Sequence, residues 1–305
     1  MITVLMAAYN GQDYIKEQIE SILNQTYTDW KLIIQDDCST DDTLSIAKEY
    51  AKQYPEKIRV FQSETNSGSA KNNFFSMLKY AKSDYVMFSD DDDIWLRDKM
   101  RLALNRIKEL EVKNGKDKPL LVHSDVAVVD KDLNVLCNSI YTYQNMRSAR
   151  NKLNNLLVQN IVVGNTMMVN KALLNSIKSI PKNALMHDWW FALIACTFGE
   201  IGFVNKETVL YRQHEQNDVG AKETNKLSVN IKRKDRLKES LVNTYKQAEE
   251  FLDVYGNCLK RRDLEIVSAY AKSLSKGKIY RIFVLIKYSL WKNSISKKIG
   301  QVIYS

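Results

Sequence analysis

The 305-residue chain is short of the residues that staple small folds or punctuate irregular ones: it has four cysteines, three histidines, three prolines and ten glycines. Cys38, Cys137, Cys196 and Cys258 lie far apart, without a CxxC pair or a histidine at zinc-finger spacing. That excludes a disulfide scaffold and a zinc module, and predicts reduced thiols in a cytoplasmic protein. The opening residues lack a leader pattern, because Thr3 to Tyr9 is only strand-length and runs directly into polar Asn10-Gly11-Gln12; export is not expected. Internal repeats and low-complexity segments are absent. With 45% hydrophobic and 27% charged residues, the composition fits one large domain, or one domain with an appendage.

Acidic residues are missing from one region: none occurs between Ile266 and Ser305. The net charge is +9, but from Ala221 onward nineteen Lys and Arg face eight Asp and Glu, so the tail carries about +11 and the first 220 residues about −2. Basicity spread evenly would suggest nucleic acid or an anionic membrane as partner for the whole chain; its confinement gives the tail a role of its own.

What is present in the first hundred residues is an alternation of short apolar runs with amphipathic stretches, the pattern of βα units in a parallel α/β sheet. Strands are predicted at Thr3 to Tyr9, Trp30 to Gln35, Ile58 to Phe61 and Tyr85 to Phe88. Helices are predicted over Tyr14 to Leu23, after a Ser39 or Thr40 cap, and over Ala70 to Ala81. From about Asp98 the pattern becomes mixed. A charged helix runs to Val112, strands follow at Leu120 to Val129, Asn134 to Cys137, Gly164 to Val169 and Thr208 to Arg212, and a helix spans His187 to Phe198. The sheet is therefore expected to gain antiparallel strands. A catalytic domain of residues 1–220 followed by a basic region of two to four helices, 221–305, is predicted, since no proline follows Pro181.

In an open α/β sheet, ligands bind beyond the carboxyl ends of the strands, where strand order reverses. Three predicted strands end in suitable polar residues: Tyr9-Asn10-Gly11, Asp36-Asp37 and Ser89 to Asp93. Four adjacent carboxylates, Asp90 to Asp93, repel one another unless a cation offsets them. The run therefore points to a divalent metal, Mg²⁺ or Mn²⁺, shared with substrate phosphates. A solvated acidic turn that caps the next helix is the alternative.

Taken in order, Thr3-Val4-Leu5-Met6-Ala7-Ala8-Tyr9-Asn10, Gln35-Asp36-Asp37-Cys38-Ser39-Thr40-Asp41-Asp42-Thr43 and Phe88-Ser89-Asp90-Asp91-Asp92-Asp93-Ile94-Trp95 resemble the three N-terminal signatures of the family 2 glycosyltransferases. The resemblance covers residues 1–220. It implies the GT-A fold, a Rossmann-like mixed α/β sheet, acting on a nucleotide-sugar donor with inversion at the anomeric carbon. It also implies that Ala8 and Tyr9 line the nucleoside pocket, that Asp37 faces the base, and that Asp90 and Asp92 are the DxD pair, with Asp92 nearest the metal and Asp91 beside the nucleotide. Two positions depart from the pattern: Cys38 stands where relatives often have Gly, and Asp91 where they have a non-acidic residue. Lys71, at a helix start, is a candidate phosphate contact or simply an exposed lysine.

Inversion needs a carboxylate that takes the proton of the acceptor hydroxyl. Asp188, in Met186-His187-Asp188-Trp189-Trp190, is the candidate, because His and two tryptophans would desolvate it and raise its pKa. Trp189 and Trp190 would offer aromatic faces to the acceptor sugar; a capping Asp188 over a tryptophan core is the alternative. This element and Tyr211-Arg212-Gln213-His214 resemble bacterial rhamnosyltransferase-like members, which implies His214 at the metal and Arg212 at the diphosphate. Asp125 is a candidate for the donor sugar or the acceptor, Asn165 and Thr166 for the acceptor, and Trp95 for packing beneath the metal loop. The implied activity is transfer of a sugar such as L-rhamnose from dTDP-rhamnose to a lipid-linked or oligosaccharide acceptor in bacterial cell-surface polysaccharide biosynthesis. Glucosyl or galactosyl transfer from a UDP-sugar and metal-dependent phosphoester hydrolysis are the competing readings.

In the tail, eight cations from Lys272 to Lys298 are interleaved with Tyr280, Ile282, Phe283, Leu285, Ile286, Tyr288, Leu290 and Trp291. The apolar stretch is too short, and too interrupted at Lys287, to span a bilayer. It reads as an interfacial helix on an anionic membrane surface, at the inner face of the plasma membrane, rather than as a nucleic-acid-binding arm. Packing on the catalytic domain, or a homo-oligomer interface, is the alternative.

Overall fold

Every residue of the first strand, β1 (Ile2–Ala8), is buried, as befits a parallel strand covered on both faces. In the computed structural model, which describes residues 1–214 and 231–305, the elements that follow are α1 (Ile15–Leu23), β2 (Trp30–Asp36), α2 (Thr43–Gln53), β3 (Ile58–Gln62), α3 (Ala70–Met77), β4 (Tyr85–Ser89), β5 (Ile94–Trp95), α4 (Lys99–Asn114), β6 (Leu120–Val129) and β7 (Val135–Cys137). Next come α5 (Ile140–Tyr143), α6 (Leu153–Leu156), β8 (Met168–Asn170), α7 (Lys171–Asn175), α8 (His187–Phe198), β9 (Glu200–Arg212), α9 (Ile231–Tyr255), α10 (Arg261–Lys272), α11 (Lys278–Lys287) and α12 (Ile295–Tyr304). The expected domain boundary at 220/221 lies outside the described residues.

The sheet has the order β3-β2-β1-β4-β8-β6-β9-β5, with β7 paired to β6. β1 to β4 are mutually parallel, while β8 runs antiparallel to both β4 and β6, which is the expected change from parallel to mixed. Strand order reverses between β1 and β4, so the carboxyl ends of β1, β2 and β4 share one rim. On α1 the stripe Ile15, Ile19 and Ile22 is buried, as its period predicts.

Two elements differ from expectation. Gly164–Thr166 is a 3-10 turn rather than the start of a strand, closed by Thr166 N donating to Val163 O at 2.9 Å. The turn brings Gly164 against α8, where a Cβ would come within 3.1 Å of the His187 ring. β9 begins at Glu200 rather than Thr208. Polar Asn205-Lys206-Glu207 hides this long strand from an apolar pattern, and its register against β6 shifts on either side of Asp125.

The tail forms four α-helices within the described residues. α9 packs behind α8: Trp190 meets Phe251 at 5.5 Å, and Tyr255 Oη donates to Ser176 O at 2.9 Å. α10 closes on α9 through Tyr245 and Tyr270, 4.7 Å apart. Among the described residues no helix is long and apolar enough to cross a membrane.

Candidate active site

A cleft of about 820 Å³ opens over the rim shared by β1, β2 and β4. The motif residues first serve to build that rim. Gly11 N donates to Thr43 Oγ1 (2.8 Å), Asn10 N to Ser39 Oγ (2.9 Å) and Thr40 N to Asn10 Oδ1 (2.8 Å), so the loop after β1 is clasped by the loop after β2. Ala8, Tyr9 and Asp37 all line the cleft. The Asp37 carboxylate accepts from Ser67 N at 2.9 and 3.1 Å and from Ser67 Oγ at 2.7 Å, which fixes it beside the N-terminus of α3.

The four aspartates occupy four different environments. Asp90, Asp91 and Asp92 line the cleft, whereas Asp93 is fully buried and accepts from Arg212 N at 3.0 Å and from the Asn165 amide. Asp93 is therefore part of the scaffold. Asp91 Oδ2 accepts from Tyr9 N at 2.9 Å, and a methyl group at Gly11 would overlap its carboxylate. The extra acid at this position thus ties the loop after β4 to the end of β1, and glycine at position 11 makes room for it. Burial, then the charge of Asp92, holds the Asp91 and Asp93 carboxyls well above the usual carboxylate range.

Asp92 Oδ2 lies 2.9 Å from His214 Nε2, and the His214 ring stacks on Tyr14 at 4.7 Å. A carboxylate oxygen and an imidazole nitrogen at one point of a cleft that Asp90 also lines are donors that suit Mn²⁺ or Mg²⁺. Among the described residues no group of three or more His, Cys, Asp or Glu side chains is arranged to hold an ion unaided. The donor set thus fits a cation whose remaining ligands come from a diphosphate.

Asp188 lines the same cleft at the start of α8. Its Oδ1 accepts from Trp189 N at 2.5 Å, and Asn160 and Gly164 also donate to it. Burial outweighs these hydrogen bonds and pushes its pKa up to about 7. Beside it, buried His187 packs on Phe74 at 4.1 Å, and burial lowers its pKa to about 3, so the ring is neutral.

Several predicted contacts do not face the cleft. Lys71 Nζ donates to the carbonyls of Lys182 (3.2 Å) and Ala184 (2.8 Å) and does not line the cleft; Gly68, Ser69 and Ala70 line it instead. The Arg212 guanidinium is buried under the aspartate loop. It donates to Asp92 O (2.9 Å), Lys131 O (2.7 Å) and Glu17 Oε2 (2.5 Å), and so supports the loop from below. Asp125 accepts from Ser139 Oγ (2.5 Å), Val126 N (2.8 Å) and Ile140 N (3.1 Å), capping α5. Asn165 and Thr166 are buried in the 3-10 turn, bonded to Asp93 and to Val163 O respectively. Trp190 is fully buried against α9, while Trp189 reaches the cleft and donates from Nε1 to Leu156 O at 2.6 Å. Trp95 is buried, as expected, with Lys99 over its ring at 4.4 Å. Sequence reasoning missed Tyr14, Glu17, Asn160 and Gly164. Only Tyr14 had a local signal, an aromatic with a polar tip opening the helix after the first motif.

The family model for glycosyl transferase family 2 matches residues 3–175. The dTDP-rhamnosyl transferase RfbG of Shigella flexneri is 32% identical over 220 residues, which are 71% of this chain and 74% of that protein. S. aureus TarS in complex with UDP-GlcNAc has a TM-score of 0.59 at 18% identity, covering 94% of this chain and 80% of that one. The mannosyltransferase PcManGT of Pyrobaculum calidifontis, in complex with GDP-Man and Mn²⁺, has a TM-score of 0.57 at 17% identity, covering 99% and 86%.

Proposed function

The chain belongs to glycosyl transferase family 2 and has the GT-A fold, and on that premise we propose that it moves L-rhamnose from dTDP-rhamnose to a lipid-linked glycan, with inversion, in bacterial cell-surface polysaccharide assembly. Residues 1–220 are the catalytic unit in this reading and 221–305 its basic helical appendage. The likeness to RfbG supports rhamnose as the sugar. The observation that carries the mechanism is Asp188, a carboxyl with a pKa of about 7 on the wall of the cleft that Asp90 and Asp92 also line.

The nucleoside rests against Ala8 and Tyr9 beside Asp37, and the diphosphate lies over Asp90 and Asp92. Asp92 and His214 would hold the divalent cation, which when bound offsets the charge of the departing diphosphate. Arg212, anchored to Glu17, keeps the aspartate loop in place from beneath. Asp188 takes the proton of the acceptor hydroxyl while that oxygen attacks the anomeric carbon. The new glycosidic bond forms as the bond to the diphosphate breaks, on the opposite face. Trp189 borders the space left for the acceptor.

The test is incubation with dTDP-rhamnose, UDP-glucose or UDP-galactose, Mn²⁺ and a lipid-linked acceptor. Transfer from dTDP-rhamnose is expected, and Asp188→Asn is expected to lower it by about 10²- to 10⁴-fold with nucleotide binding retained. Turnover of a UDP-hexose alone would reassign the sugar. Full activity in Asp188→Asn would remove the base, and phosphate release without acceptor would favour a phosphohydrolase.

A further inference from the structure

The last two helices of the basic tail pack on the chain through one face, where Val284 and Leu285 of α11 and Gln301 of α12 are buried, and leave the other face open. Ile279, Phe283 and Ile286 on α11, and Ile295, Ile299 and Ile303 on α12, are between 54% and 88% exposed. Their spacings, i, i+4, i+7 and i, i+4, i+8, put each trio on one side of its helix. The two helices are pinned together by Lys278 Nζ donating to Ile303 O at 2.9 Å, so the trios belong to one paired unit. An open apolar hollow of about 400 Å³, lined by Trp291, Lys298, Ile299, Val302 and Ile303, lies in this unit. Isolated exposed apolar residues are ordinary, whereas six on one pair of helices mark an interaction surface.

We propose that α11 and α12 form a docking face for an anionic phospholipid surface, and that this face holds the acceptor side of the cleft toward the bilayer. Charge decides the occupant. The last forty residues contain no acid, so a second copy meeting this face in a twofold contact would set lysines against lysines, whereas a bilayer supplies apolar depth and anionic headgroups together.

Hydrogen bonds link this unit to the cleft wall. Asn293 N donates to Gln159 Oε1 at 2.8 Å, Asn154 Nδ2 to Ser289 O at 3.2 Å, and Arg150 to the carbonyl of Trp291. These bonds fasten the α11–α12 connection to the segment that runs into Asn160, Ile161 and Val162 of the cleft wall. Asn160 in turn bonds Asp188. The docking face and the proposed base therefore share one support. This second half of the proposal rests on the transferase reading; the first half does not.

Flotation of the full chain with vesicles of phosphatidylcholine, or of phosphatidylcholine mixed with phosphatidylglycerol, tests it. Binding to the anionic vesicles alone, weakening with salt, is expected. The triple variant Ile279→Glu, Ile286→Glu, Ile295→Glu should lose at least about tenfold in binding, and Lys287→Gln with Lys298→Gln about fivefold per charge. Transfer to a water-soluble oligosaccharide should be unchanged in the triple variant while transfer to a vesicle-borne acceptor falls. Equal binding to neutral vesicles, undiminished binding in either variant, or no vesicle binding together with a dimer that the triple variant dissolves would overturn the docking face. Vesicle binding without turnover of either acceptor would leave the face standing and overturn the link to catalysis.

Discussion

Asp188 has opposite consequences for stability and for chemistry. Its ordinary pKa is 3.8 and its folded value about 7, so the folded state favours the proton more than the unfolded state does. Stability from this group is present below about pH 4 and is lost as pH rises, by up to about 1.4 kcal/mol per unit, until about pH 7. The base proposed above must be ionised to act, so transfer should rise through the same window and level off above it. Asp188→Asn is accordingly expected to melt higher than the native chain at pH 8 and to match it near pH 4; melting curves at the two pH values check this. Cys38 presents a simpler case. It has φ +63, a conformation that costs an L side chain about 1–2 kcal/mol, and its thiol makes only a weak bond to Ser63 O at 3.3 Å. Cys38→Gly removes that cost and adds some chain entropy to the unfolded state, so a net gain of about 0.5–1 kcal/mol is expected, read as a higher urea midpoint with unchanged slope. The departure from glycine noted in the sequence is thus a local strain that the clasped loops absorb.

At the scale of elements, the end of β9 acts on the loop after β4. Arg212 sends three bonds in three directions, to Asp92 O, Lys131 O and Glu17, and its ring neighbour is Tyr14 at 4.7 Å. A lysine ammonium cannot reproduce that fork. Arg212→Lys is expected to destabilise the fold by about 2 kcal/mol and, by loosening the loop, to weaken nucleotide diphosphate binding about tenfold or more; calorimetric titration against the native chain separates the two. This support was not legible in the sequence, where Arg212 looked like a diphosphate ligand. Strands and motif ends were legible because β1, β2 and β4 are continuous apolar runs that stop at polar residues, and that pattern places the rim directly. Side-chain direction was not. Lys71 and Trp190 stand on the expected helices but turn away from the cleft, and Lys99, in a helix that reads as charged and solvated, is buried with a pKa lowered by burial to about 7. Asn160 and Gly164 reach Asp188 from a loop without periodicity, so only tertiary packing brings them there.

Across the whole molecule, the cleft joins chain segments that are far apart in sequence: the end of β1, the loop after β4, the start of α8 and His214 after β9. The 2.9 Å contact between Asp92 and His214 joins two of these segments, yet the described residues offer no third acid or imidazole to complete a cation shell there. Cation and diphosphate should therefore bind with positive coupling, each supplying ligands or charge that the other needs. Because both would bind only the assembled cleft, they stabilise the entire fold by mass action. Mn²⁺ with dTDP at about a hundredfold excess over the dissociation constant should add about 2.7 kcal/mol, an increase in melting temperature of about 5 °C for a chain of this size. Mn²⁺ alone, or dTDP with a chelator, should give much smaller shifts, and His214→Ala or Asp92→Asn should abolish the coupling while leaving any residual effect of dTDP alone. If dTDP shifts the melting temperature equally with and without chelator, the diphosphate is held by protein donors alone, and Asp92 and His214 are a hydrogen-bonded latch across the cleft rather than half of a metal site.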